Sequence, residues 1–384
     1  MRFLLKFILW LLTIFVLLIV ALYVFDVDYL IKGVRITYLN GEKTAYLSDY
    51  TEFDNRTIEK GVGQPWKISE QYNSVEATDS LTNLHKKFGT VAFMIIKNDS
   101  IWHESYFDGY GKNSKSNSFS MAKSMVTSAV GKAIMDGKIK SLDQKVTDFF
   151  PEYKGEFGSL VTVGDLASMA SGLDWDESYY SPFSITTRAY FDENLNDMML
   201  NLKFVSPPGK EFHYVSGNTQ LLAMILEKAT GQKLSDYVSE NFWKPIGAEN
   251  EALWQLDHQD GIEKAYCCVA ASARDFARFG KLYLQNGVWN GEQILDSTFV
   301  KKSTTPRFAD SPMYGYGWWL SDHLDKKIYY MQGHLGQYVI VIPEDELIIV
   351  RLGHNRDERA DGKMHRQDFF TYIDETYKML NAKK

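Results

Sequence analysis

The sequence predicts an α/β fold: an antiparallel sheet flanked by helices, with a helical subdomain, preceded by one N-terminal transmembrane helix. Three observations carry this. Strand-like runs gather in two places far apart in the chain, at residues 90–107 and 315–352. Between them, from about residue 120 to 286, the pattern is mostly helical and loop. If both groups of strands share one sheet, the two ends must meet, and the helical block stands beside the sheet with a crevice between them. Finally, residues 7–25 are 19 residues without a charge.

At 1.5 Å per residue that segment spans about 28 Å, close to the ~30 Å hydrocarbon core of a bilayer. Arg2 and Lys6 precede it, and Asp26 and Asp28 follow. The positive-inside rule then leaves residues 1–6 as a cytoplasmic tip and puts the rest on the periplasmic or extracellular side of a single-pass membrane protein. A cleaved signal peptide is the alternative. Its apolar region would be shorter, and Ala21-Leu22-Tyr23 is a poor cleavage site.

Residues 26–74 mix short apolar runs with turns such as Asn40-Gly41, and read as an extended lead-in packed on the main domain, 75–384. Helical periodicity covers 74–87. Residues 90–96 form a strand, Lys97-Asn98-Asp99-Ser100 a turn, and 101–107 the hairpin partner. Strands follow at 315–320, 327–332, 336–342 and 347–352, with Pro343-Glu344-Asp345-Glu346 turning the last pair. An amphipathic helix closes the chain at 364–380.

Lys+Arg 42 against Asp+Glu 49 gives a net charge of −7, which argues against nucleic acid as a partner. The two cysteines, Cys267 and Cys268, are adjacent. They exclude a disulfide framework and a cysteine-based zinc site. Two buried thiols are expected, with a vicinal disulfide as the alternative. The eight histidines show no HExxH or HxH spacing, so no metal is expected.

Ser118-Phe119-Ser120-Met121-Ala122-Lys123 contains Ser-x-x-Lys, and no other serine has a lysine three residues on. On a helix, i and i+3 share a face, so Lys123 stands one turn above Ser120. A serine hydroxyl is a weak nucleophile until a base takes its proton. A lysine serves as that base only where burial or nearby positive charge lowers its pKa. By itself the motif reads first as a capping serine beside a surface lysine. Tyr214, in Phe212-His213-Tyr214-Val215-Ser216-Gly217-Asn218, sits in a loop before an apolar helix, where its hydroxyl can shuttle a proton or simply be half-buried. Gly333-His334-Leu335-Gly336-Gln337 enters a strand. Its glycines allow close approach to the backbone, and an N–H on that edge can join the Ser120 N–H as an oxyanion hole.

Taken in order, Ser-x-x-Lys, Tyr-x-Ser-x-Asn about 90 residues on, and His-x-Gly on a C-terminal strand resemble the penicillin-recognising serine hydrolases. These include class C β-lactamases, DD-peptidases and β-lactamase-related esterases and amidases. Ser141–Val146, Val161–Leu166, Ser171-Gly172-Leu173 and Ala271–Gly280 fit the same family, over residues 75–384. Glu177–Pro182 and Tyr214–Thr219 are similar to loops of the 6-aminohexanoate-dimer hydrolase branch, and Thr37–Gly41 and Asn55–Ile58 also look familial.

The resemblance implies a β-lactamase-like fold without a cofactor. It makes Ser120 the nucleophile that forms an acyl-enzyme. Lys123 accepts its proton and holds Tyr214 by charge, and Tyr214 relays a proton to the leaving group. The N–H groups of Ser120 and Gln337 bind the oxyanion, and Tyr179 touches the substrate. Two departures stand out. His334-Leu335-Gly336 replaces Lys-Thr-Gly, removing a fixed cation and a hydroxyl that suit a carboxylate. Ser216 occupies the third position of the class C Tyr-x-Asn. Both point to a small ester or amide as substrate rather than a β-lactam. The alternatives are a true β-lactamase or DD-peptidase acting on cell-wall peptides, or a protein that is acylated without turnover.

Overall fold

The computed structural model describes residues 1–360 and 364–382; residues 361–363 and 383–384 of the expected main domain lie outside the described residues. The two ends of the chain do meet. The last strand, Leu347–Gly353, pairs antiparallel with Thr90–Lys97, from Leu347↔Lys97 to Gly353↔Thr90. This pair is the centre of a seven-stranded sheet ordered Trp319–His323, Lys326–Gly333, Gln337–Ile342, Leu347–Gly353, Thr90–Lys97, Ser100–Tyr106, Lys67–Ile68. Every pairing is antiparallel except that of Lys67–Ile68 with Ser100–Ile101. The hairpin between Thr90–Lys97 and Ser100–Tyr106 turns through Asn98 and Asp99, both at positive φ (49° and 60°), a conformation their short polar side chains tolerate.

Alternation along the central strands sorts two cores. Phe93, Ile95, Ile340 and Ile349 face the helices Asp79–Phe88 and Gln367–Asn381, against Leu81, Phe369, Tyr372 and Ile373. Met94, Ile96, Val339, Val341 and Ile348 face the helix Ala273–Leu284 and the helical block. Both faces are covered, so the central strands read as unbroken apolar runs. Helix and sheet touch most closely at Gly280, where a Cβ would lie 3.0 Å from Val339 and 3.2 Å from Val341. In the block, Ala122–Met135 packs against Gly217–Thr230, and residues 122–131 are all buried.

The lead-in differs from the expected extended segment. It opens with a helix, Tyr29–Ile36, and supplies Asn55–Ile58 to a second sheet beside Ala252–Gln255, Val269–Ala271 and Ser116–Asn117. The helix spans only eight residues with a central Gly33, too short for a clear period. The strands at 252–255 and 269–271 were hidden for the same reason. Strand 315–320 is also displaced: the observed strand is Trp319–His323. Cys267 and Cys268 form a vicinal disulfide rather than two thiols. The backbone folds back on itself at Cys268 (φ 76°), a turn that residue type does not announce.

Residues Arg2–Val24 form one helix with none of its residues buried and a mean hydropathy of 3.0, long and apolar enough to cross a membrane; a signal sequence has the same character.

Candidate active site

Ser120 sits on a sharp turn at the junction of the small sheet and the helical block. Ser116 and Asn117 pair with Ala271 and Ala270. Ser118 N then donates to Val269 O (2.6 Å), and Ser118 Oγ accepts from Val269 N (3.1 Å). The next residue, Phe119, is left-handed at φ 45°, unfavourable for a bulky side chain by about 1–3 kcal/mol. The turn is pinned where Phe119 N donates to Asn117 Oδ1 (2.9 Å). Asn117 Nδ2 in turn donates to Asp49 Oδ1 (2.9 Å). Asp49, fully buried in the lead-in, also accepts from Tyr190 OH (2.6 Å), Gln255 Nε2 (3.1 Å) and Tyr46 N (3.2 Å). Burial raises its carboxyl above the usual carboxylate range, and these donors offset only part of the rise.

Lys123, on the first turn of Ala122–Met135, places Nζ 3.0 Å from Ser120 Oγ and donates to Tyr266 O (2.7 Å). Its side chain is not on the surface: Lys123 is 2% exposed. Burial pulls its pKa down to about 8, with Glu177 acting the other way. Nor does Ser120 cap the helix, whose N-cap is Met121 without a side-chain bond. The capping reading of Ser-x-x-Lys therefore fails on both residues.

Tyr214 is clamped between Trp319 (ring centroids 5.3 Å, 31°) and Tyr314 (6.1 Å, 85°). Lys123 Nζ lies over its ring, 5.2 Å from the centroid, so the two meet through the ring face. Burial and then Glu177 raise the Tyr214 phenol, while contact with the Ser120 hydroxyl and the positive charge of Arg356 oppose the rise. The phenol thus stays protonated at neutral pH.

Ser216 caps the helix Gly217–Thr230 through a neighbour. Glu177 Oε2 accepts from Ser216 N and Oε1 from Ser216 Oγ, both at 2.6 Å, and Oε1 also accepts from Tyr179 OH (2.5 Å). The Tyr179 ring stacks on His334 (5.4 Å, 20°), and Phe119 meets the same imidazole edge-on (5.6 Å, 89°). Burial, with Arg356 and Arg366, pulls His334 down to about 3, so it is neutral. Arg356 Nη2 lies 3.3 Å from His334 Nδ1.

Gln337 and Gly336 are placed otherwise than expected. The Gln337 side chain is fully buried and structural: Nε2 donates to His334 O (3.0 Å) and Gly353 O (2.7 Å), and Oε1 accepts from Gly353 N (2.9 Å). Gly336 (φ 81°) packs against Arg351, whose Nη1 a Cβ there would meet at 2.6 Å. Neither is among the described residues lining the two cavities that open on Ser120. The close approach belongs to Gly333, where a Cβ would strike Ser118 O at 2.2 Å. The residue delivered beside Ser120 is therefore His334, which lines both cavities. The turn sits one residue later than the expected strand bounds put it, because Gly333 pairs directly with Gln337.

Residues 57–370 match the family model described as Beta-lactamase. The chain belongs to the β-lactamase family. Among curated relatives, the 6-aminohexanoate-dimer hydrolase of Paenarthrobacter ureafaciens is 26% identical over 287 residues, 68% of this chain and 72% of that protein. A solved structure from Bacillus anthracis, provisionally described as a 6-aminohexanoate-dimer hydrolase, covers 85% of this chain and 90% of its own at a TM-score of 0.73 and 23% identity. A class C β-lactamase covers 80% of this chain and 96% of its own at a TM-score of 0.61 and 13% identity. These structural likenesses carry the fold.

On this β-lactamase-family frame, the expected Ser120, Lys123, Tyr214, Tyr179, Ser216 and His334 all come together. Four contributors escaped sequence reasoning: Glu177, the Tyr266 carbonyl, Arg356 and Asp49. Glu177 stood in a familial loop, and an acid beside two tyrosines was a usable signal. A backbone carbonyl, and charges about 20 residues after or 70 before the motif they serve, left none.

Proposed function

We propose that this β-lactamase-family chain is a membrane-anchored serine hydrolase that cleaves a small ester or amide through an acyl-enzyme on Ser120. The observation that carries the reading is Ser120 Oγ at 3.0 Å from a buried Lys123 whose pKa is pulled to about 8. Lys123 Nζ takes the hydroxyl proton as Oγ bonds to the carbonyl carbon. The N–H groups of Ser120 and His334 receive the oxyanion. The C–O or C–N bond then breaks, and the Tyr214 phenol passes a proton to the leaving group. It regains one from the water that attacks the acyl-enzyme, and the acid leaves as Ser120 recovers its proton. The relatives named for the 6-aminohexanoate dimer support an amide or ester among the substrates. The apolar helix Arg2–Val24, with Arg2 and Lys6 at its start, supports an anchor with the catalytic domain on the periplasmic or extracellular side.

The test is labelling. A fluorophosphonate should mark Ser120, and Ser120→Ala should lose both the label and p-nitrophenyl acetate turnover. Label on another serine, with Ser120→Ala still active, overturns the assignment.

Arg356 favours a second reading. Its guanidinium stands beside His334 and lines the second cavity with Ser120, together with Arg359 and Arg366. A cation missing at position 334 is thereby present one side chain away, which suits a carboxylate-bearing β-lactam or peptide. If a chromogenic cephalosporin is hydrolysed faster than p-nitrophenyl acetate, and Arg356→Ala reverses the order, the protein is a β-lactamase.

A further inference from the structure

Two cavities meet at Ser120, and they differ in chemistry. One, of about 710 Å³, holds the arginines just described. The other, of about 530 Å³, has Lys43 as the one lysine, arginine, aspartate or glutamate among its described lining residues. Its floor is Ser120 and His334. One wall is the lead-in helix Tyr29–Ile36, through Leu30, Gly33 and Val34, with Gly33 packed on the Phe191 ring, and Phe183 also lines the cavity. The helix is fastened there by polar contacts at its edges: Tyr29 OH donates to Pro182 O (3.0 Å), Lys32 pairs with Glu193 (3.0 Å), and Arg188 with Asp26 (2.6 Å). Between these clamps Leu30 and Val34 line the same cavity as Ser120.

A second observation concerns the rim. Val34 is 47% exposed and Phe183 70% exposed, and Tyr38, Leu39 and Tyr180 are exposed beside them. An exposed apolar rim is costly in water and marks a site for an apolar partner. Val34 of this rim lies on the helix that begins five residues after the apolar helix Arg2–Val24 ends.

We propose that this cavity takes an apolar chain of the substrate, so that the bond attacked by Ser120 belongs to a lipid-like ester or amide drawn in from the membrane side. The proposal rests on Ser120 being the nucleophile and specifies the substrate class. Binding follows from removing methylene groups from water along the Leu30–Val34 wall, and the gain grows with chain length until the cavity is filled.

The full chain, held in phosphatidylcholine nanodiscs, should be assayed with p-nitrophenyl acetate, butyrate, octanoate and dodecanoate. The octanoate-to-acetate ratio of kcat/KM should be about tenfold or more. Val34→Trp, which fills the wall, and Phe183→Asp, which charges the rim, should each lower that ratio about fivefold. Both positions are exposed, so the fold is not at stake, and comparing variants with the parent cancels the partitioning of the ester into lipid. A flat ratio in the parent, or a ratio unchanged in both variants, overturns the proposal and leaves the hydrolase intact. No turnover of any ester, with no fluorophosphonate label on Ser120, overturns the hydrolase reading and this one with it.

Discussion

Lys123 has exchanged water for one carbonyl and one hydroxyl, and the sign of its effect follows. Burial lowers its pKa to about 8, and the working form is the neutral amine. The kcat/KM for an ester should therefore climb with pH through about 8 and level off above it. Tyr214 adds no second inflection there, because its phenol is pushed up. Lys123→Arg keeps charge and length but cannot give up its proton at any usable pH. Its kcat should fall about a hundredfold or more, the usual worth of a positioned base. A pH series of the parent and a single-turnover assay of the variant check both. A flat profile between the ordinary lysine and histidine ranges would remove Lys123 from the role of base.

Elements that announce themselves by periodicity were readable, and those that do not were lost. The strands at 90–97 and 347–353 are long apolar runs bounded by turn residues, and their meeting followed from topology alone. The start of the helix Ala122–Met135 was readable because Ser120 and Lys123 lie one turn apart. The wall of the apolar cavity was not: eight residues around Gly33 carry too little pattern, and its partner at 183–191 is about 150 residues away. That His334, and not Gln337, lines the cavities with Ser120 was not readable, because a sequence shows that His334-Leu335-Gly336 turns but not which residue faces out. The helix Ala273–Leu284, whose familial spelling includes Gly280, can be tested as an element. Gly280→Val adds methyls where the sheet already stands at 3.0–3.3 Å. It should cost about 1–3 kcal/mol by overpacking. Urea unfolding of the variant should show a lower midpoint with an unchanged slope.

The helix Arg2–Val24 buries none of its residues against the rest of the molecule. Removing residues 1–25 should leave the denaturation midpoint and p-nitrophenyl acetate turnover essentially unchanged. Removing 1–36 takes away the cavity wall as well, and should depress turnover of the octanoate ester. If the shorter truncation is folded but inactive, the helix does more than tether. The central strand pair has a consequence for how the molecule comes into being. Leu347 must find Lys97 across about 250 residues, and closing so long a loop is slow because its entropy is lost before any contact repays it. The hairpin at 90–106 leaves the ribosome early with one edge unpaired and apolar on both faces, an open template for another chain. Ser120, Lys123 and Tyr214 are all synthesised before the strand Leu347–Gly353 that completes the seven-stranded sheet. The protein is therefore most exposed to aggregation and proteolysis during its own synthesis, and its yield in cells should depend on holding chaperones more than on the stability of the finished fold.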